Sequence, residues 1–134
     1  MTHKSRLGCV VIDCKANDLS QPFRFWGAAL GLEGNVDDDG KYCSFATQGD
    51  DLRVLLQAVD HDSRVHVDIE TDDKEAEARR LESLGAKRIA SIKSWIVMEA
   101  PTGHRFCVVN PQRLDFESGA TVWNDDGTRA GKDL

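Results

Sequence analysis

The chain has 134 residues, the length of one ordinary domain or of two small modules sharing a core, so two independent enzymes cannot fit. Its 40% hydrophobic and 30% charged residues, with three prolines, make a globular composition and exclude a disordered or collagen-like chain. Seventeen Lys and Arg against 23 Asp and Glu leave a net charge of −6 with no basic run, which argues against nucleic acid as a partner.

Apolar stretches such as Val10-Val11-Ile12 and Val54-Leu55-Leu56 fall far below the ~20 residues of a membrane span. Met1 to Arg6 leads into too short an apolar run for a secretory signal, so a cytoplasmic location is expected. The four cysteines, Cys9, Cys14, Cys43 and Cys107, form no Cys-x-x-Cys pair; in that compartment they are expected to be reduced thiols filling core space.

Cys9 to Cys14 reads as a strand, with Cys9, Val11 and Asp13 on one face and Val10, Ile12 and Cys14 turned toward a helix. That helix is capped by Asp18 or Ser20, tolerates Pro22 in its first turn, carries Phe23, Trp26 and Leu30 on one side, and stops at Gly31. Lys41 to Thr47 and Leu52 to Gln57 form a hairpin about Gly49-Asp50-Asp51.

The same order then returns. His66, Asp68 and Glu70 alternate with Val67, Ile69 and Thr71, the period of a half-buried strand. Asp72 with Glu75 suits a helix start, Ala78, Leu81 and Leu84 make a narrow apolar stripe, and Gly85 ends it. Strands follow at Arg88 to Ser91, Trp95 to Glu99 and Arg105 to Val109, the last two joined by the turn Ala100-Pro101-Thr102-Gly103-His104. Beyond Pro111 the periodicity fades: Leu114-Asp115-Phe116 and Val122-Trp123 supply apolar anchors, and Asn124 to Leu134 is expected to fray.

This order carries Phe25-Trp26-x3-Leu30-Gly31, Val65-His66-Val67-Asp68-Ile69, Leu84-Gly85-Ala86, Trp95-Ile96-Val97-Met98 and Pro101-x-Gly103-x-x-Phe106-Cys107-Val108-Val109. In that combination it resembles the glyoxalase/bleomycin-resistance/dioxygenase (vicinal oxygen chelate) superfamily, and especially its glyoxalase-like domain proteins. The resemblance implies an α+β fold of two tandem βαβββ modules, about residues 7–58 and 64–111, with a tail at 112–134, forming a curled mixed sheet around a cleft. It also implies a homodimer. Duplicated units with one apolar face each fit that architecture independently.

Metal-using members hold a divalent ion at four positions that fall here at about Cys9, Gln57, His66 and Cys107, of which His66 alone has the usual type. No metal or other cofactor is expected on that ground; two thiols, an imidazole and an amide would suit zinc if an ion were bound. Strand parity nevertheless turns His66, Asp68 and Asp13 inward as candidate acid–base groups, with Cys9, Gln57, Glu70, Trp95 and Cys107 as candidate ligand-binding residues. Tyr42, Trp123 and His104 are further candidates near such a site, whereas Trp26 and Phe106 read as core.

No phosphate-cradling glycine loop, Gly-x-Ser-x-Gly elbow or His-Glu-x-x-His occurs, which leaves nucleotide hydrolysis and serine chemistry unsupported. Three functions follow from the resemblance. One is metal-free binding of a small molecule. The second is a lyase or isomerase using His66 with Asp13 and Asp68, or an atypical divalent metal. The third is an accessory subunit.

Overall fold

A thirteen-residue strand, β1 (His3–Lys15), opens the chain and is twice as long as the apolar run Cys9 to Cys14 announces. The structure, a computed structural model, describes residues 1–47 and 50–131. Gly49 of the expected hairpin turn, and the last three residues of the tail, lie outside the described residues. The fold is α+β, and the chain divides into two compact units, Cys9–His66 and Met1–Gly8 together with the chain from Val67 onward. Among the described residues no helix is long and apolar enough to cross a membrane.

In the first of these units β1 continues into α1 (Ser20–Leu30), β2 (Gly34–Val36), β3 (Tyr42–Phe45), β4 (Arg53–Val59) and the start of β5 (Arg64–Thr71). The strand order is β2-β3-β4-β1, with β1 parallel to β4 and the other neighbours antiparallel. A first and last strand lying side by side in parallel need a crossover, and α1 begins it. Asp18 accepts from the Ser20 N–H at 2.9 Å, but the N-cap itself is Leu19, without a side-chain cap. Gly31 ends the helix at φ +68°, as its sequence position implies.

Phe23 and Trp26 pack on a core of Cys14, Leu19, Cys43, Phe45 and Leu56, and Phe23 stacks on Phe45 at 5.9 Å. Leu30 departs from the expected stripe and stands 45% exposed. Cys14 and Cys43 are core hydrophobes, and burial pushes both thiols up.

In the second unit the rest of β5 is followed by α2 (Lys74–Ser83), β6 (Lys87–Ile92), β7 (Trp95–Glu99) and β8 (Arg105–Val109), in the order β5-β8-β7-β6. β5 is parallel to β8, and the other two pairings are antiparallel. The topology repeats that of the first unit strand for strand. Its core is Ala78, Leu81, Ile96, Met98, Phe106 and Val108, so Phe106 faces inward as its parity requires.

The cap of α2 is one residue later than the sequence suggests. Asp73 accepts from the Ala76 N–H at 3.0 Å, while Asp72 is drawn away to the Lys4 N–H at 2.8 Å and Glu75 to Arg88 at 2.8 Å. Asp73→Ala is expected to lower stability by about 1 kcal/mol, the usual value of an N-cap, and urea unfolding of this variant beside Asp72→Ala checks it. Leu84 lies beyond the last turn, 66% exposed.

The tail is more ordered than its composition suggests. Phe116 opens the short helix α3 (Phe116–Gly119) and is buried, whereas Leu114 is 89% exposed and anchors nothing. β9 (Thr121–Trp123) pairs antiparallel with His3–Ser5 of β1. Between Asn124 and Ala130 the chain turns back rather than fraying, with Asn124 N–H on Thr128 O at 2.8 Å and Ala130 N–H on Val122 O at 2.9 Å.

Candidate functional site

Register arranges the polar face of the Cys9–His66 unit in rows. Cys9 stands opposite Arg53, Val11 opposite Leu55 with Ser44 beyond it, and Asp13 opposite Gln57 with Tyr42 beyond it. The side chains of Ile12 and Cys14 go to the α1 side, so the parity read from the sequence holds. Arg53 donates to Ser44 Oγ, and Gln57 Nε2 donates to the Tyr42 hydroxyl at 3.4 Å.

At the end of this face Asp13, only 3% exposed, meets His66: Oδ2 and Nδ1 lie 2.8 Å apart. The Arg64 Nε is 3.8 Å from the same oxygen. Asp13 Oδ1 is buried with no hydrogen-bond partner among the described residues. A carboxylate held against Nδ1 fixes the ring: with Asp13 ionised, Nδ1 carries the hydrogen and donates it, and Nε2 becomes the basic atom. The pair is therefore an oriented imidazole with a buried carboxylate behind it.

The other candidates lie in the second unit. Asp68 is buried and stands opposite Cys107 across the β5–β8 ladder, with Val97 beyond. Glu70 is wholly buried and already engaged: Oε2 accepts from Arg6 Nε at 2.6 Å, and Oε1 from the backbone N–H groups of Gln112 and Arg113 at 2.6 and 3.0 Å. It holds the tail. Trp95 is half-buried, with the Lys93 ammonium 5.9 Å from its ring centre, and exposed His104 bonds Thr102.

Sequence reasoning missed one buried cluster altogether. Glu77 has no exposure, His3 Nε2 is 2.7 Å from its Oε1, and Arg80 grips it through Nε and Nη2 at 2.8 and 2.7 Å. Trp123 lies under the Arg80 guanidinium at 3.8 Å and donates to Ser5 Oγ at 2.8 Å. The Glu77–Arg80 spacing of three on α2 was a readable signal; His3 was hidden in a polar leader.

The sequence pattern of the glyoxalase-like domain matches residues 9–109. The chain belongs to that family. The glyoxalase-like domain here is similar in structure to a Mn(II)-bound glyoxalase from Novosphingobium aromaticivorans, at 20% identity and a TM-score of 0.57 over 90% of this chain and 46% of that one. A protein described as an NAD-dependent benzaldehyde dehydrogenase from Legionella pneumophila gives 12% identity and 0.55 over 77% and 99%. An extradiol ring-cleaving dioxygenase from B.fuscum gives 16% and 0.53 over 82% and 34%. The chain thus spans about half the length of the first and a third of the last, and these likenesses carry the fold. No curated protein matches the chain.

The glyoxalase-like domain does not assemble the ligand set that the resemblance implied. Cys9 is on the Arg53 rung and Gln57 on the Asp13 rung, four residues apart along parallel strands, or roughly 13 Å at 3.3 Å per residue. One ion cannot reach both, since metal–ligand bonds are ~2 Å long. Cys9 is moreover wholly buried. A buried thiol is a soft donor that suits zinc rather than a hard divalent ion. Cys9 and Gln57 therefore cannot belong to one metal site.

Proposed function

We propose that this glyoxalase-like domain binds a small molecule on the polar face that carries Asp13 and His66, without the family's usual metal. The buried Asp13–His66 pair at 2.8 Å carries the reading, because the carboxylate fixes the imidazole and leaves Asp13 Oδ1 buried without a hydrogen bond among the described residues, an arrangement that adds little stability and suits a binding group. His66 orients the ligand through Nε2, and Gln57 and Tyr42 on the Asp13 rung extend the polar contact. Asp68 and Cys107 form the corresponding polar row of the other unit. The same proposal takes the working form to be a homodimer in the cytoplasm, in keeping with the resemblance.

A second reading, a lyase or isomerase, is favoured by the same pair, which has the make-up of a general base and its orienting carboxylate. His66 would move a proton at Nε2 and Asp13 would hold the ring.

One variant addresses both. In a thermal-shift screen of small acids, aldehydes and aromatic compounds, a ligand at about 100 times its Kd adds ~2.7 kcal/mol of stability. His66→Ala is expected to abolish that rise for the ligand that stabilises the native chain. If deuterium exchange next to a carbonyl accompanies binding and disappears in the variant, the enzymatic reading stands; binding without exchange leaves the sequestering one. An unchanged ligand response in His66→Ala would remove the pair from function.

A further inference from the structure

The opposite, helix-side face of the Cys9–His66 unit holds a second feature that the polar face does not use. Between α1 and the beginning of β5 lies a groove of about 510 Å³, in the size range of small-molecule sites, whose apolar wall is Pro22, Phe25, Trp26 and Val65. Phe25 and Val65 are each 60% exposed, a large apolar display for a chain that is 30% charged. Phe25 and Trp26 meet edge to face, 5.1 Å between centres and 85° between planes. The two rings form a corner, and a flat ring laid against one of them edges the other.

Two cations stand at the edge of this groove. The chain as a whole carries −6, yet Lys15 and Arg64 line this hollow. Asp13 also borders it, with its Oδ2 held by His66 at 2.8 Å. The acid nearest Lys15 is Asp62, fully exposed and 3.6 Å away, a pair that solvent screens almost completely. The Arg64 Nε faces Asp13 at 3.8 Å and its Nη2 faces the His61 ring at 3.4 Å, so much of the guanidinium still looks outward. An aromatic corner with two cations at its edge fits one ligand chemistry.

We propose that this groove is a second binding site, taking a flat aromatic carboxylate whose ring packs on Phe25 and Trp26 and whose anionic end meets Lys15 and Arg64. The site stands apart from the Asp13–His66 reading and can be right whether or not that one is.

The probe is 2-naphthoate, titrated into the full chain by calorimetry with tryptophan fluorescence as a second readout, beside the neutral isostere 2-naphthalenemethanol. The naphthoate is expected to bind one to one and about tenfold more tightly than the alcohol, the factor that ~1.4 kcal/mol of charge attraction yields. Phe25→Ser, at an exposed position that leaves the core intact, should weaken naphthoate about tenfold, and Lys15→Gln about threefold. Equal affinity for acid and alcohol overturns the charge assignment, and an unchanged affinity in Phe25→Ser, or no binding at all, overturns the site. Loss of binding in His66→Ala with Phe25→Ser unaffected would put the ligand on the opposite face and overturn it as well.

Discussion

Replacing Glu77 by alanine is expected to destabilise the protein by about 3–5 kcal/mol, the cost of removing one member of a buried charged network. Glu77 is wholly buried on α2 and is the common acceptor for Arg80, which is 13% exposed, and His3, which is 6% exposed. Its loss leaves an arginine charge and an imidazole beneath the surface without their acceptor, and loosens the arginine plane that covers Trp123. Since Trp123 joins β9 to β1 through Ser5, the effect should spread to the tail. Urea unfolding should show a lower midpoint at unchanged slope.

The same residue sets a pH dependence. Burial pushes the Glu77 carboxyl up, but hydrogen bonds from Arg80 and His3 outweigh it and hold the group below its ordinary value of 4.5. A group whose folded pKa is depressed adds stability above its unfolded value, and that stability is lost as pH falls through the folded one. The native chain should therefore lose stability on acidification below about pH 4.5, and Glu77→Ala should show a flatter acid limb. An equally steep limb in the variant would assign the acid lability to other carboxylates.

How much of this was legible beforehand depends on the range of the interaction. Local signals read well: Trp95–Glu99 and Arg105–Val109 are strands at the residues their alternation marks, and Gly31 and Gly85 both take the positive φ of a helix end. The face assignment of Cys9, Val11 and Asp13 against Ile12 and Cys14 also held, because strand parity needs no partner. What failed was pairing. The first half of β1 is polar because its neighbours are carboxylates and a strand more than a hundred residues away, and nothing in His3-Lys4-Ser5-Arg6 alternates to announce it. β2 is built on Gly34-Asn35, a turn-like pair that only the ladder to β3 makes a strand. Asp72 and Asp73 are equally good caps until Lys4 claims one of them.

The candidate site divides the same way. Residue type and parity brought Asp13 and His66 to attention, but only the folded chain puts them 2.8 Å apart across 53 positions, and the β1–β4 register separates Cys9 from Gln57. Alternation also gave Glu70 an inward polar place, without revealing that the tail and Arg6 return to occupy its carboxylate.

Glu70→Ala is accordingly expected to act on the tail first. The variant takes an acceptor from a guanidinium at 2.6 Å and from two successive backbone N–H groups, and the total cost should again be about 3–5 kcal/mol, since a charged donor and two amides lose a buried partner together. Gly8 reports on the same packing. A Cβ at that position would lie 2.9–3.1 Å from three Glu70 side-chain carbons, and Glu70, held at both oxygens, cannot move aside. Hydrogen exchange separates a tail effect from a global one: the amides of Gln112 and Arg113 should lose protection in Glu70→Ala well before those of the β7–β8 ladder do. Equal loss across both would show that Glu70 supports the whole unit rather than its tail, while a variant of native stability would mean that Arg6, which also bonds Asp115 at 2.8 Å, holds the tail without it.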